Sequence, residues 1–172
     1  ALSTNRIDVQ SLITERVKLD DYDKIYTNMS DSKSIASILE YTVKTEQPSQ
    51  SVAINNNSFK GEKGVIGIIG AGNFTSAMIL PSLQKCNASV KHIASSGGLS
   101  GTTMAKKFNI PNSTTNYKSI LSDKDVELVL ITTRHNSHAK LAKETLLANK
   151  HVFVEKPLAL TNLQLDEVLK AY

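Results

Sequence analysis

The chain has no tryptophan, a single cysteine (Cys86), and aromatic residues at only 5% of its 172 positions. A lone cysteine excludes an intrachain disulfide framework and any paired-cysteine zinc site. Its place near the end of an expected helix points to core or partly exposed packing rather than a catalytic thiol. So few aromatics leave no platform for stacked bases, and no block of five or more basic residues tracks a phosphate backbone. No apolar run is long enough to span a bilayer, and no charged segment followed by an apolar stretch opens the chain as a signal peptide would. The expectation is a cytoplasmic protein with no nucleic-acid partner, no membrane partner and no metal. The first residue is Ala1 rather than methionine, for which processing or a fragment of a longer protein is the expectation.

What is present is ordinary for a soluble globular protein: 40% hydrophobic residues, 21% charged residues and a net charge of +4. The positive excess is spread along the chain and reads as a lysine-rich solvated surface, although a basic lean also attracts anionic ligands. The length suits one full domain and a smaller piece. Residues 12–43 suggest that smaller piece. An extended run starts at Leu12-Ile13, and Asp20 is placed to cap a helix with Tyr22, Ile25, Tyr26 and Met29 on one face. After a turn at residues 30–33, Ile35, Leu39, Tyr41 and Val43 alternate as in a strand. Strand, helix and strand are too few to bury a core alone. Residues 44–63 are polar, with Asn55-Asn56-Asn57-Ser58 near their end, and read as a linker.

From residue 64 onward strands alternate with helices. Val65-Ile66-Gly67-Ile68-Ile69 and Leu128-Val129-Leu130-Ile131 are nearly continuous apolar runs, as expected where both faces of a parallel strand are covered. Further strands are expected at residues 90–94 and 152–154. Helices are expected at 74–85, with Pro81 as an irregularity, at 102–108, around Ser119-Ile120-Leu121, and from about Ser137. In that last helix His138, Leu141, Ala142, Thr145 and Leu146 share a face. Thr161-Asn162-Leu163-Gln164 has capping-box spacing and opens a final helix. The alternation predicts an α/β fold with a doubly wound parallel sheet, which binds ligands at the carboxyl ends of its strands.

Three strand ends carry chemistry. Gly70-Ala71-Gly72-Asn73-Phe74-Thr75 follows a buried strand and opens a helix. The first glycine permits a tight turn, and the second lets backbone approach a pyrophosphate, toward which the helix N-terminus directs N–H groups. Thr75 stands where the usual third glycine would be, and a glycine turn can also simply tighten a strand–helix corner. The second strand ends in Ala94-Ser95-Ser96-Gly97-Gly98. It lacks the acid that commonly accepts hydrogen bonds from the adenosine ribose of NAD. Ser95 and Ser96 could donate to a 2′-phosphate, so NADP is slightly favoured over NAD, and a loop without preference is the alternative. At the third end, Thr132 to His138 sit where an inner strand passes into its helix. Thr133, Arg134 and His135 are expected to face a cofactor, His138 to pack on the sheet, and Asn136 or Ser137 to offer a helix cap. Glu155-Lys156-Pro157 follows the next strand. Lys156 there reads either as half of a surface ion pair or as a cation beside a nicotinamide.

Taken together, these motifs resemble the N-terminal domain of the Gfo/Idh/MocA oxidoreductase family over residues 64–172. The resemblance rests on Ile68-Ile69-Gly70-Ala71-Gly72-Asn73, on Ile131-Thr132-Thr133 followed by His138, on Ala148-Asn149-Lys150-His151-Val152, and on Val154-Glu155-Lys156-Pro157. Arg134-His135 replaces the Pro-Asn pair common in the family, and Asn149 stands at an often-glycine position. The resemblance implies a Rossmann domain for NAD or NADP. It places Gly70, Gly72, Asn73 and Phe74 around the pyrophosphate, and Thr133, Arg134, His135 and Asn136 beside a ribose. Glu155 and Lys156 fall on the nicotinamide side, with Lys156 as the nearest to a catalytic residue.

Leu12-Ile13-Thr14-Glu15-Arg16-Val17-Lys18-Leu19 and the helix after it are similar to the last part of zinc-type medium-chain alcohol dehydrogenases. Such domains occur fused ahead of Gfo/Idh/MocA domains. That implies residues 1–43 as a partial alcohol dehydrogenase-like tail, 44–63 as linker and 64–172 as the cofactor domain of a bi-domain oxidoreductase. The implied activity moves a hydride between NAD(P) and a sugar-like or cyclitol hydroxyl, with these residues inactive without a C-terminal substrate domain. A bare sheet edge would favour self-association into a homo-oligomer. The alternatives from other classes are a non-catalytic dinucleotide sensor or structural module, and an S-adenosylmethionine methyltransferase, which does not account for Glu155-Lys156-Pro157.

Overall fold

The two most apolar runs of the sequence form neighbouring central strands of a six-stranded sheet, β4 (Ile66–Ile69) and β7 (Leu128–Ile131). The computed structural model describes residues 7–27, 33–41, 49–54, 59, 61 and 63–172, and the chain divides into two units, Ala1–Pro48 and Ser49–Tyr172.

In the first unit β1 (Ile13–Lys18) pairs in parallel with β2 (Ala36–Glu40), through a 3-10 turn at Leu19–Asp21 and α1 (Tyr22–Thr27). Alternation in β1 turns Ile13, Glu15 and Val17 to its more covered face, yet no described residue of this unit is buried. Asp20 does not cap α1. It lies inside the 3-10 turn, because the chain begins to coil at Leu19, and the neighbouring Asp21 pairs with Lys24 at 2.8 Å. Of the expected strand face, Leu39 falls in β2, whereas Ile35 and Tyr41 flank it and are exposed, because the ladder with β1 ends at Glu40. Met29, Ser30 and Val43 lie outside the described residues.

The second unit holds β3 (Ser51–Ala53), β4, β5 (Val90–Ala94), β6 (Asn112–Thr114), β7 and β8 (His151–Val154), in the order β3-β6-β5-β4-β7-β8. All neighbours are parallel except β3, which runs antiparallel to β6. From β4 the chain winds outward through β5 and β6, then returns to β7 and β8 on the other side. Strand order therefore reverses between β4 and β7, and there the crevice of a doubly wound sheet opens. Period-two alternation divides the core. Ile69, Val129 and Ile131 meet α4 (Lys118–Ser122), α5 (His138–Leu147) and α6 (Asn162–Ala171) on one face. Ile66, Ile68 and Leu130 meet α2 (Leu80–Lys85) and α3 (Leu99–Lys107) on the other.

Residues 44–63 are not linker throughout. Ser51–Ala53 adds an edge strand, and Ile54 and Phe59 pack against the two core clusters. Residues 44–48, 55–58, 60 and 62 lie outside the described residues. Pro81 leaves Ala77 without its i+4 amide donor and crowds its carbonyl. The helix widens there into a π-turn at Thr75–Ile79 that runs into α2. Helix α3 starts at Leu99, three residues earlier than the expected helix start, once Gly98 has turned at φ +75°. Asn149 has φ +55°, with its own amide on Leu146 O and the amide of Lys150 on Thr145 O, the double closure of a helix C-terminus. Asn87 and Asn109 end α2 and α3 in the same left-handed conformation. Cys86 is exposed at the end of α2 rather than packed. The α6 cap forms, with Gln164 N donating to Thr161 Oγ1 at 3.2 Å. No helix among the described residues is long and apolar enough to cross a membrane.

Candidate functional site

A cleft of about 730 Å³ lies over the carboxyl ends of β4, β5, β6 and β7. Its centre is the turn after β4. Gly70 has φ +118°, and a Cβ there would sit 2.7–2.8 Å from backbone and side-chain atoms of Thr132, so the position accepts only glycine. Thr75, where a third glycine is usual, is fully buried and makes the turn's lock instead. Its hydroxyl lies 3.0 Å from Gly70 O and 2.7 Å from Thr132 Oγ1, while Thr132 Oγ1 is 3.1 Å from the same carbonyl. Two hydroxyls and one carbonyl thus tie the glycine turn to the end of β7.

Gly72 differs from Gly70 in kind. Its φ is not positive, and a Cβ there would meet no protein atom within 4 Å, so neither fold nor strain requires glycine. It faces the cleft. The space a side chain would fill is open toward a ligand, which fits close approach of a pyrophosphate to the backbone. Asn73 and Phe74 line the same wall, with Phe74 46% exposed.

At the end of β5, Ser95 N donates to Thr114 O at 3.0 Å and Ser95 Oγ accepts from Gly101 N at 3.1 Å, so this hydroxyl helps begin α3. Ser96 is exposed on the cleft, beside Ser100. Thr133 and Arg134 also line it. Thr133 Oγ1 is 2.7 Å from Ser137 Oγ, which donates to Arg134 O at 2.8 Å. That hydroxyl pair shapes the turn rather than capping α5, whose N-terminus has no side-chain cap. His135 and Asn136 are exposed in the 3-10 turn His135–Ser137 and do not line the cleft. His138 is fully buried, with Nδ1 2.9 Å from Pro157 O and Nε2 3.0 Å from Thr133 O. Glu155 and Lys156 follow β8 and also stand off the cleft wall. Glu155 N donates to Ile131 O at 3.0 Å, Lys156 is exposed, and neither joins an ion pair among the described residues. The Lys156–Pro157 peptide is cis.

The far wall was not legible in the sequence. Thr115, Tyr117 and Lys140 complete it. Tyr117 Oη donates to Glu144 Oε2 at 2.8 Å, and Lys140 Nζ lies 3.9 Å from Glu144 Oε1. Burial and then the Glu144 carboxylate raise the Tyr117 pKa, which keeps the phenol a donor. The one available signal was the helical spacing of Lys140 and Glu144, which gives no hint of a cleft. No carboxylate among the described residues lines the cleft, while Arg134 and Lys140 both do. The lining therefore favours an anion.

Known proteins resemble this unit in sequence and shape. Inositol 2-dehydrogenase of Salmonella typhimurium is 47% identical over 55 residues, 32% of this chain and 16% of that protein. A levoglucosan dehydrogenase solved with NADH superposes with a TM-score of 0.56 at 30% identity, over 62% of this chain and 31% of that one. A 3-ketoreductase from Actinomadura kijaniata, solved with NADP, gives a TM-score of 0.57 at 26% identity, over 62% of this chain and 34% of that one. The chain thus spans about a third of these relatives or less. Residues 65–172 match the Gfo/Idh/MocA oxidoreductase family, NAD-binding Rossmann fold, and the chain belongs to that family.

Proposed function

We propose that the cleft binds a nicotinamide dinucleotide, with NADP slightly preferred, for hydride transfer to or from a sugar-like or cyclitol hydroxyl. The observation that carries this reading is the open space above Gly72, beside a turn that Gly70, Thr75 and Thr132 hold in place. Gly70, Gly72, Asn73 and Phe74 would cradle the pyrophosphate. Ser96, with no acid beside it to repel a 2′-phosphate, would meet the adenosine ribose, and Ser95 would set the turn below it. Thr133 and Arg134 would border the ribose as parts of the cleft wall, with His135 and Asn136 on the turn behind them. Glu155 and Lys156 would reach the nicotinamide end from β8, where Lys156 orients the substrate oxygen and lends it positive charge. The bound dinucleotide supplies the hydride chemistry. The sugar-like substrate class is supported by inositol 2-dehydrogenase and levoglucosan dehydrogenase among the relatives.

These residues by themselves are expected to bind cofactor without turnover, since the segment that matches covers about a third or less of each relative. Residues 1–43 fit the tail of an alcohol dehydrogenase-like domain, being a parallel strand–helix–strand piece with no buried residue among those described. Fluorescence titration with NADH and NADPH tests the cofactor reading. Saturable binding of both, tighter for NADPH, is the expected result, and binding of neither would sink it. Detectable dehydrogenase turnover by the 172-residue chain would overturn the claim of inactivity.

A further inference from the structure

His138 is the first residue of α5, and its ring is fully buried. A buried imidazole needs partners for its polar atoms, and here both partners are backbone carbonyls on different loops. Nδ1 is 2.9 Å from Pro157 O and Nε2 is 3.0 Å from Thr133 O. Carbonyl oxygens accept, so the ring acts as the donor; a neutral ring donates at one end and a doubly protonated ring at both. The two loops leave the adjacent parallel strands β7 and β8. One carries Thr133 and Arg134 on the cleft wall, and the other carries Lys156. Among the described residues, this ring is the one side chain that hydrogen-bonds the backbone of residues 156–159. The ladder bond from Glu155 N to Ile131 O ends just before them.

The cleft crosses the point where strand order reverses. In such a sheet the adenosine half of a dinucleotide lies toward the second strand, here β5, and the other half lies toward β7 and β8. We propose that His138 is a positioning residue that locks the Lys156 loop to the Thr133 loop, so that both form one preformed wall for the nicotinamide half of the cofactor. The inference rests on the dinucleotide reading above and adds to it which side chain fixes that wall. Without the ring's donors the carbonyls it holds turn toward water, and among the described residues the Lys156 loop keeps the apolar packing of Leu158 and Ala159.

The test compares NADH with ADP-ribose, which lacks the nicotinamide, on the full chain. His138→Phe fills the space without donors, and His138→Gln restores one. In the unaltered protein NADH should bind more tightly than ADP-ribose. His138→Phe should weaken NADH about tenfold while ADP-ribose changes less than about twofold, and His138→Gln should recover part of the loss. Equal weakening of both ligands, or no change in either, overturns the clamp. So does equal affinity for the two ligands in the unaltered protein. Should His138→Phe not fold, the unaltered protein still decides the matter: the ring N–H resonance of His138 should shift on adding NADH and not on adding ADP-ribose, and a resonance indifferent to NADH overturns the proposal. An unaltered protein that binds neither ligand removes the dinucleotide reading and the clamp with it.

Discussion

The two ends of the sheet are built from opposite materials. At the carboxyl ends, hydroxyls, glycines and two cations surround an open cleft, with no carboxylate among the described residues of its lining. At the amino ends, carboxylates are present and already engaged. Asp123 Oδ2 meets Lys91 Nζ at 2.7 Å and His92 Nε2 at 2.6 Å, and Lys91 reaches Asp125 at 2.6 Å. Lys150 Nζ donates to Asp123 O and Val126 O, both at 2.7 Å. At the carboxyl ends Asn73, Ser96 and Arg134 face the cleft with side chains that bond no described residue, whereas the Asp123 and Asp125 carboxylates at the amino ends are paired within the protein. The two ends therefore divide the labour: substitutions at the amino ends should cost stability, and those at the cleft should cost binding.

Gly70→Val is expected to have the largest effect, and it crosses the division, because the cleft's central turn is also a packing point. The new side chain would meet Thr132 at under 3 Å with φ at +118°. Overpacking of that kind costs about 1–3 kcal/mol, and the turn would have to move. NADPH binding should disappear in a fluorescence titration, and thermal unfolding should shift downward. Retained binding would show that the turn is not the phosphate site.

Asp123→Asn strikes the other end. It removes the charge that holds Lys91 and His92 and should cost about 2 kcal/mol in urea unfolding, since charged hydrogen bonds contribute about 1.5–3 kcal/mol each. NADPH affinity should stay the same, and a matching loss of affinity would break the comparison. The same residue sets an acid limb. Burial alone would raise the Asp123 carboxyl, but hydrogen bonds from Lys91, His92 and the Asp125 amide, with the Lys91 charge, lower it from 3.8 to about 2. A depressed carboxyl stabilises the fold fully above its unfolded pKa. That contribution, at most about 2 kcal/mol, is lost as pH falls from about 4 toward 2. Unfolding free energy measured across that range should fall less steeply in Asp123→Asn than in the unaltered protein.

Gly72→Ala separates binding from stability at the cleft itself. Its Cβ would touch no protein atom, so the melting temperature should hold or rise slightly. If that space receives the pyrophosphate, as proposed, a methyl there should weaken NADPH about tenfold by titration. A change in melting temperature without a change in affinity would reassign Gly72 to the fold.

How far the sequence led depends on whether the information was local. β4 and β7 follow from apolar runs, and the strand–turn–helix around Gly70 from its glycines. Ser95, Ser96, Thr133 and Arg134 reach the cleft because a strand's carboxyl end carries whatever follows it there. β3 and β6 escaped notice because Ser51-Val52-Ala53 and Asn112-Ser113-Thr114 have no apolar period. Their buried hydroxyls are satisfied across the chain, Ser51 donating to Thr114 at 2.9 Å and Thr102 to Ser113 at 3.2 Å. That is also why residues 44–63 read as linker. Tyr117 and Lys140 needed the tertiary meeting of the turn after β6 with α5. The two-ended role of His138 needed β8 beside β7, since its partners lie 5 and 19 residues away in the chain.

Lys140→Ala should have the smallest effect, and it tests whether the cleft's cations act on the ligand or only decorate the surface. Lys140 is 71% exposed and pairs loosely with Glu144, so water and salt screen it. Alanine is a better helix former, and α5 should lose no stability. If the ammonium serves the anionic cofactor, NADPH should weaken by about threefold at low salt, and the difference should fade near 0.5 M salt as screening shortens its reach. A loss that persists at high salt would instead mean a direct contact, with Lys140 closing on the cofactor's phosphate. No loss at any salt would leave Arg134 as the cation that matters, and Arg134→Ala under the same salt series would then carry the whole electrostatic effect.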